Sequence, residues 1–213
     1  MKFSHQRFVT LLAISSCLGA ALSACAPLVV GGAAVMGSLV ATDRRTAGIQ
    51  LEDEGIELRA ASRLRDQLGS RGHISVVSYN RQLLLVGEVP SAQDKQLAEQ
   101  AVNKVENVRA VVNEVAVVAN ATLSQLSSDS VLTGRVKAAM VDSQDLFANA
   151  FKVVTERGVV YLMGRVTQRE ANRATEIARS IPGVQKVVRV LEIISEEELK
   201  GALPKPAPVE VKK

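Results

Sequence analysis

The chain has 213 residues, with 26 Lys and Arg against 22 Asp and Glu, 47% apolar but only 3% aromatic residues, no Trp and two Cys. A mean hydropathy of +0.13 with 23% charged residues excludes a disordered protein and a multi-spanning membrane protein, and the length admits one large or two small domains. Base-stacking platforms and large cofactor pockets lean on several aromatic side chains, so the composition argues against a nucleic-acid partner and against any cofactor.

Residues 1–24 read as a leader. Lys2 and Arg7 form a basic start, Phe8 to Leu22 is an apolar run of signal-peptide length, and Leu22-Ser23-Ala24 places small residues before Cys25. The ending resembles the bacterial lipobox, which implies lipid attachment, palmitate included, at Cys25. The run is shorter than the ~20 residues a bilayer span needs. Cys17 leaves with the leader and Cys25 becomes the anchor, so no thiol remains for a disulfide, a nucleophile or a metal. With His73 as the single mature histidine, a His-ligated metal and a His-dependent triad are disfavoured, and His73 itself reads as a solvated loop residue.

Residues 25–48 read as a membrane-proximal tether. Pro27 to Ala41 is apolar but interrupted by Gly31, Gly32 and Gly37 and closed by Asp43-Arg44-Arg45, too short and too poor in helix formers to span alone.

An internal repeat follows. Ile74 to Val89 aligns without gaps on Phe151 to Val166 at an offset of 77, placing Gly87 on Gly164. Flanking segments align at 76: Asp53, Ile56, Ala60 and Leu64 with Asp129, Leu132, Val136 and Met140, and Ala98 to Val108 with Ala174 to Val184. The copies are domains 49–118 and 125–194, joined by a polar linker, 119–124, and followed by 195–213 as a flexible tail rich in proline from 204 onward. Each copy reads as helix, strand, strand, helix, strand. Apolar residues four apart mark the first helix. Aliphatic runs around a short turn mark a hairpin. Ser91-x-x-Asp94 and Thr167-x-x-Glu170 are capping-box patterns opening the second helix, and Val111–Val118 and Val187–Ile194 are the closing strands. A helix between the hairpin and the last strand makes that last pairing parallel. The fold class is therefore α+β, two tandem αββαβ units, each with a three-stranded mixed sheet and its helices on one face. At about 70 residues, each unit is small enough for the two to support one another.

The paired units, with Leu85-Val-Gly-Glu-Val89 and Leu162-Met-Gly-Arg-Val166 ending their hairpins, resemble BON domains. With a lipobox in front, the whole chain is similar to dual BON-domain outer-membrane lipoproteins of Gram-negative bacteria. That resemblance implies a non-enzymatic protein anchored in the outer membrane and facing the periplasm, supporting membrane integrity and binding anionic phospholipid through its second domain. The Pro-rich tail departs from the pattern. Gly87 and Gly164 are the family hallmark, and as glycines inside strands they mark a bulge or a close backbone approach. Neither has a second glycine at phosphate-loop spacing.

Charge divides unevenly, from −2 over 46–118 to +3 over 124–194, so the second domain is the one an anionic surface attracts. If Leu132, Val136 and Met140 face the sheet, another side of that helix carries Val131, Gly134, Arg135, Ala138 and Val141, with Lys137 nearby. This mostly apolar, basic side suits shallow insertion among anionic headgroups, or packing on the first domain or a partner. Leu146 and Phe147 either extend that surface or add core. The alternative function is a protein-interaction scaffold or regulator for envelope and cell-wall enzymes. Catalysis is disfavoured, because no carboxylate cluster repeats between the copies.

Overall fold

The computed structural model describes residues 43–118 and 123–202. The leader, Cys25, most of the tether, most of the linker and the tail beyond 202 lie outside the described residues. The elements are α1 (Ala47–Leu68), β1 (His73–Tyr79), β2 (Gln82–Val89), α2 (Ala92–Val102), β3 (Ala110–Asn113) and β4 (Ala116–Val117) in the first domain. The second holds α3 (Leu123–Asp142), a short 3-10 turn (Ala148–Ala150), β5 (Phe151–Glu156), β6 (Val159–Thr167), α4 (Gln168–Ser180), β7 (Lys186–Ile194) and α5 (Glu196–Ala202).

Each domain is the expected αββαβ unit. Ile56, Ala60 and Leu64 of α1, and Leu132, Val136 and Met140 of α3, are buried against their own sheets. The hairpins turn on two residues, Asn80-Arg81 and Arg157-Gly158, all with positive φ between 51° and 73°. Such turns twist in the sense that the flanking strands require. The last pairings are parallel, β2 with β3 and β6 with β7, as a helical crossover dictates. Thr167 opens α4 with a full capping box, its hydroxyl accepting from Glu170 N while the Glu170 carboxylate accepts from Thr167 N.

Three details differ from the sequence expectation. The closing strand of the first domain is split into β3 and β4 at Glu114-Val115, where Asn113 Oδ1 accepts from Val115 N at 3.3 Å on the outer side of this edge strand. Arg189 occupies the matching place in the second domain, and β7 runs unbroken. Residues 195–202, expected to begin the flexible tail, instead continue the fold: Ser195 Oγ accepts from Glu198 N at 3.1 Å to start α5, and Leu199 is buried. The last tether residues, Asp43 to Arg45, are not a spacer but are held in ion pairs, and α1 starts at Ala47.

The two sheets stack on each other. Leu83 and Leu85 face α1 and α2, while Leu84 and Val86 face the other domain; Val160 and Leu162 face α3 and α4, while Tyr161 and Met163 meet Leu84, Val86 and Tyr79. The result is four layers, helices, sheet, sheet, helices. Both faces of β2 and β6 are covered, which is why these strands read as continuous apolar runs rather than alternating ones.

Candidate functional site

The outer side of α3 is built by what its inner side must bury. With Leu132, Val136 and Met140 committed to the sheet, a rotation of 100° per residue turns Val131, Gly134, Arg135, Lys137, Ala138 and Val141 outward. All six are exposed, Val131 by 56% and Val141 by 68%. Of the environments open from the sequence, packing on the first domain is not realised, because that domain's sheet covers β5, β6 and β7 and leaves α3 outside. The pair beyond the helix divides: Leu146 joins the core, whereas Phe147 is 53% exposed.

Among the described residues neither Arg135 nor Lys137 has an ion-pair partner. Two of the three arginines of neighbouring α4 are engaged, Arg173 with Asp145 at 3.1 Å and Arg169 with Glu196 at 3.8 Å. Beside Val131 and Arg135 lies an open groove of about 550 Å³, closed at its far side by the Arg157-Gly158 turn and by Gln185. The site therefore offers shallow apolar relief, two unpaired cations and no enclosed cavity. Among the described residues no group of three or more His, Cys, Asp or Glu is placed to hold a metal ion.

Behind this surface the hairpin turn is held by a buried acid. Asp129 of α3 accepts from Arg157 N at 2.7 Å and from Gly158 N at 2.8 Å. In the first domain Asp53 does the same for Asn80 N and Arg81 N, at 2.8 and 2.7 Å, and also accepts from Ser78 Oγ. In the sequence these acids stood out only as matching repeat positions. Their signal was a carboxylate three residues before Ile56 and Leu132, on the buried stripe itself.

The two glycines of the repeat are structural contacts. A Cβ on Gly87, whose φ is +116°, would lie 2.1 Å from the His73 carbonyl oxygen, and one on Gly164 would lie 2.5 Å from that of Ala150. In both hairpins the edge backbone presses on the central strand where a side chain would stand. His73 is exposed at the start of β1, not in a loop.

The sheet-to-sheet joint carries most of the polar chemistry. Lys152 pairs with Glu57 at 2.7 Å, and Glu192 receives Asn80, Arg109 and Arg165. Burial opposes ionisation of Glu192, but these donors outweigh it and hold the carboxyl below the usual range. Glu88 and Glu156 are buried, each with one oxygen lacking a hydrogen-bond partner, and Arg157 reaches Glu88 at 3.4 Å. Burial first, then the charges of Glu88 and Asp129, push Glu156 up to about 7 against the pull of Arg157. At the other end the tether's last arginines form a clasp. Arg44 makes a bidentate pair with buried Glu170 at 2.6 and 2.8 Å and donates to Arg165 O, while Arg45 pairs with Asp53 at 2.8 Å and lies 4.2 Å over the Tyr79 ring. Burial would raise Glu170, but Arg44 and the Thr167 amide prevail and hold it low.

This arrangement has relatives. The chain is 39% identical over 175 residues, 81% of its own length and 90% of the other, to Outer membrane lipoprotein DolP of Haemophilus influenzae. It is 34% identical over 154 residues, 71% of its length and 79% of the other, to a 21 kDa hemolysin of Actinobacillus pleuropneumoniae. Osmotically-inducible protein Y of Escherichia coli is 35% identical over 71 residues, 33% of this chain and 35% of that one. Among solved structures, CdsD, a structural protein of the type III secretion system of Chlamydia trachomatis, superposes with a TM-score of 0.29 at 15% identity, over 69% of this chain and 99% of that one, a likeness too low to carry an argument. The BON domain matches twice, over residues 53–119 and 128–195, spans that run from the buried Asp53 to the close of the first sheet and from just before Asp129 to the end of β7. Two hairpins pinned by a helix acid, each with a glycine beneath its edge strand and a crossover helix behind it, are thus the two BON domains of a chain that belongs to the BON domain family.

Proposed function

We propose that the chain is an outer-membrane lipoprotein of a Gram-negative cell, anchored through Cys25 and facing the periplasm, whose second BON domain binds anionic phospholipid. Its role is to support membrane integrity rather than to catalyse a reaction. The likeness to the outer membrane lipoprotein of Haemophilus influenzae supports the location, and among the described residues no helix is long and apolar enough to cross a membrane. The observation that carries the lipid reading is the outer side of α3, where Val131, Ala138 and Val141 stand exposed around the unpaired Arg135 and Lys137. A helix of this kind lies in the headgroup plane, apolar residues at the acyl boundary and cations among the phosphates. Each well-placed cation contributes about 1 kcal/mol at an anionic surface, and salt screens it.

The test is co-sedimentation with vesicles over a salt series. Binding to anionic vesicles is expected to weaken as salt rises and to be absent with zwitterionic ones. Arg135→Glu, replacing attraction by repulsion, is expected to weaken binding about tenfold or more, and Val141→Glu to do so without altering the melting temperature. Unchanged binding in both variants, with the fold intact, would remove this site.

A further inference from the structure

The most exposed of the large apolar side chains among the described residues lie not on α3 but on α1, in the opposite outer layer: Leu51 is 70% and Leu58 73% exposed. At 100° per residue they form one outward stripe with Gly55 between them and Gly48 and Ser62 at its ends. When α3 rests on a bilayer, the four-layer stacking turns this stripe away from it, so the membrane does not cover both.

We propose that this stripe is a self-association surface, through which α1 of one copy packs antiparallel on α1 of a second copy about a twofold axis at Gly55. In an antiparallel pair centred there, residues whose numbers sum to about 110 oppose each other. Leu51 then falls beside Leu58 of the second copy, Gly55 faces Gly55 and Gly48 faces Ser62; the Arg59 guanidinium, which lies over Gly55 with Nη1 2.9 Å from where a Cβ would stand, swings off it as it changes partner and so lets the helices approach. The charges obey the same axis. Glu52 and Arg59 pair within the copy at 2.7 Å, and both are partly exposed. Their numbers sum to 111 and they share one flank, so each can exchange its partner for the same residue of the second copy. Asn107 Nδ2 donates to Glu52 at 3.1 Å and holds the acid in place for this exchange. Glu54, exposed on the other flank, meets its own counterpart. That repulsion, with a contact of one helix pair well under the ~1,000 Å² of a stable complex, makes the association weak and reversible.

The proposal does not rest on lipid binding, because the decisive measurement uses no vesicles. The full chain carrying Gly55→Cys, at high concentration in detergent solution, is oxidised and the covalent dimer is timed against Ser62→Cys. Ser62 lies on the same stripe and is more exposed than Gly55, but sits about 21 Å from its counterpart in the antiparallel register. Gly55→Cys is expected to cross-link about tenfold faster than Ser62→Cys. Adding Leu58→Glu is expected to slow it about tenfold, Arg59→Glu to slow it and a further Glu52→Arg to restore it, and Glu54→Gln to speed it. Equal rates at the two positions, or a rate indifferent to Leu58→Glu, would overturn the proposal. Loss of vesicle binding with Leu58→Glu while the cross-link persists would give the face to the bilayer and also overturn it.

Discussion

Single residues at the centre of this molecule work against ordinary preferences. Glu156 is held in the sheet-to-sheet joint with its carboxyl raised to about 7. Because its folded value lies above its unfolded one, the stability it allows is complete below the usual carboxylate range and is lost as pH rises through about 7. Melting temperature is therefore expected to fall between roughly pH 5 and pH 8. Glu156→Gln is expected to flatten that slope and raise the melting temperature at the alkaline end by a few degrees; an unchanged slope would show that the carboxyl is not the source. Asp129 does the opposite work, satisfying two turn amides at once. Asp129→Ala leaves both amides without their acceptor and is expected to destabilise the fold by about 2 to 3 kcal/mol in a denaturant titration, whereas a loss under about 0.5 kcal/mol would mean that water replaces the carboxylate.

At the scale of elements, identical topology has been put to different ends in the two copies. The inner stripes of α1 and α3 are alike, but α1 exposes two leucines and α3 an apolar side with unpaired cations. The closing strands also differ: β3 and β4 part at Glu114-Val115, where Asn113 Oδ1 accepts from the Val115 amide, while Arg189, at the matching place, donates to Thr175 Oγ1 at 2.8 Å within a continuous β7. Helix α5 extends the second domain beyond its repeat. Leu199 is its buried anchor among the described side chains, so Leu199→Ala is expected to cost about 2 kcal/mol and to free the amides of 196–202 for hydrogen exchange. Exchange there that is already as fast as in an unfolded chain would show that α5 adds nothing to the body.

For the whole molecule the decisive contact is the clasp at the root of the tether. Arg44 enters the second domain and Arg45 the first, so two adjacent residues just before α1 tie both BON domains together. Arg44→Ala leaves Glu170 as a buried charge without its cation. A loss of about 3 kcal/mol is expected, with calorimetric unfolding broadening from one transition towards two as the domains uncouple. One sharp, unshifted transition would show that the sheet stacking alone couples them.

The repeat, the order of elements and the inward stripes were legible in the amino-acid sequence because they are periodic, and periodicity survives without any knowledge of neighbours. The capping residues were legible for the same reason, as they act within one turn of helix. The outward side of α3 followed by subtraction once its inner stripe was known, although the sequence left open what covers it. Only the tertiary structure decided that the two sheets stack, that Asp53 and Asp129 hold the opposing hairpin turns, that Glu88 and Glu156 end up in one buried joint, and that Arg44 reaches across 126 positions to Glu170. These contacts join residues far apart in the chain, and no local pattern encodes their partners. The one trace they left was the unbroken apolar run of Leu83 to Val86, matched by Val159 to Met163. A strand covered on both faces has no polar side to show, and the sequence could signal that the second face was buried but not what would bury it.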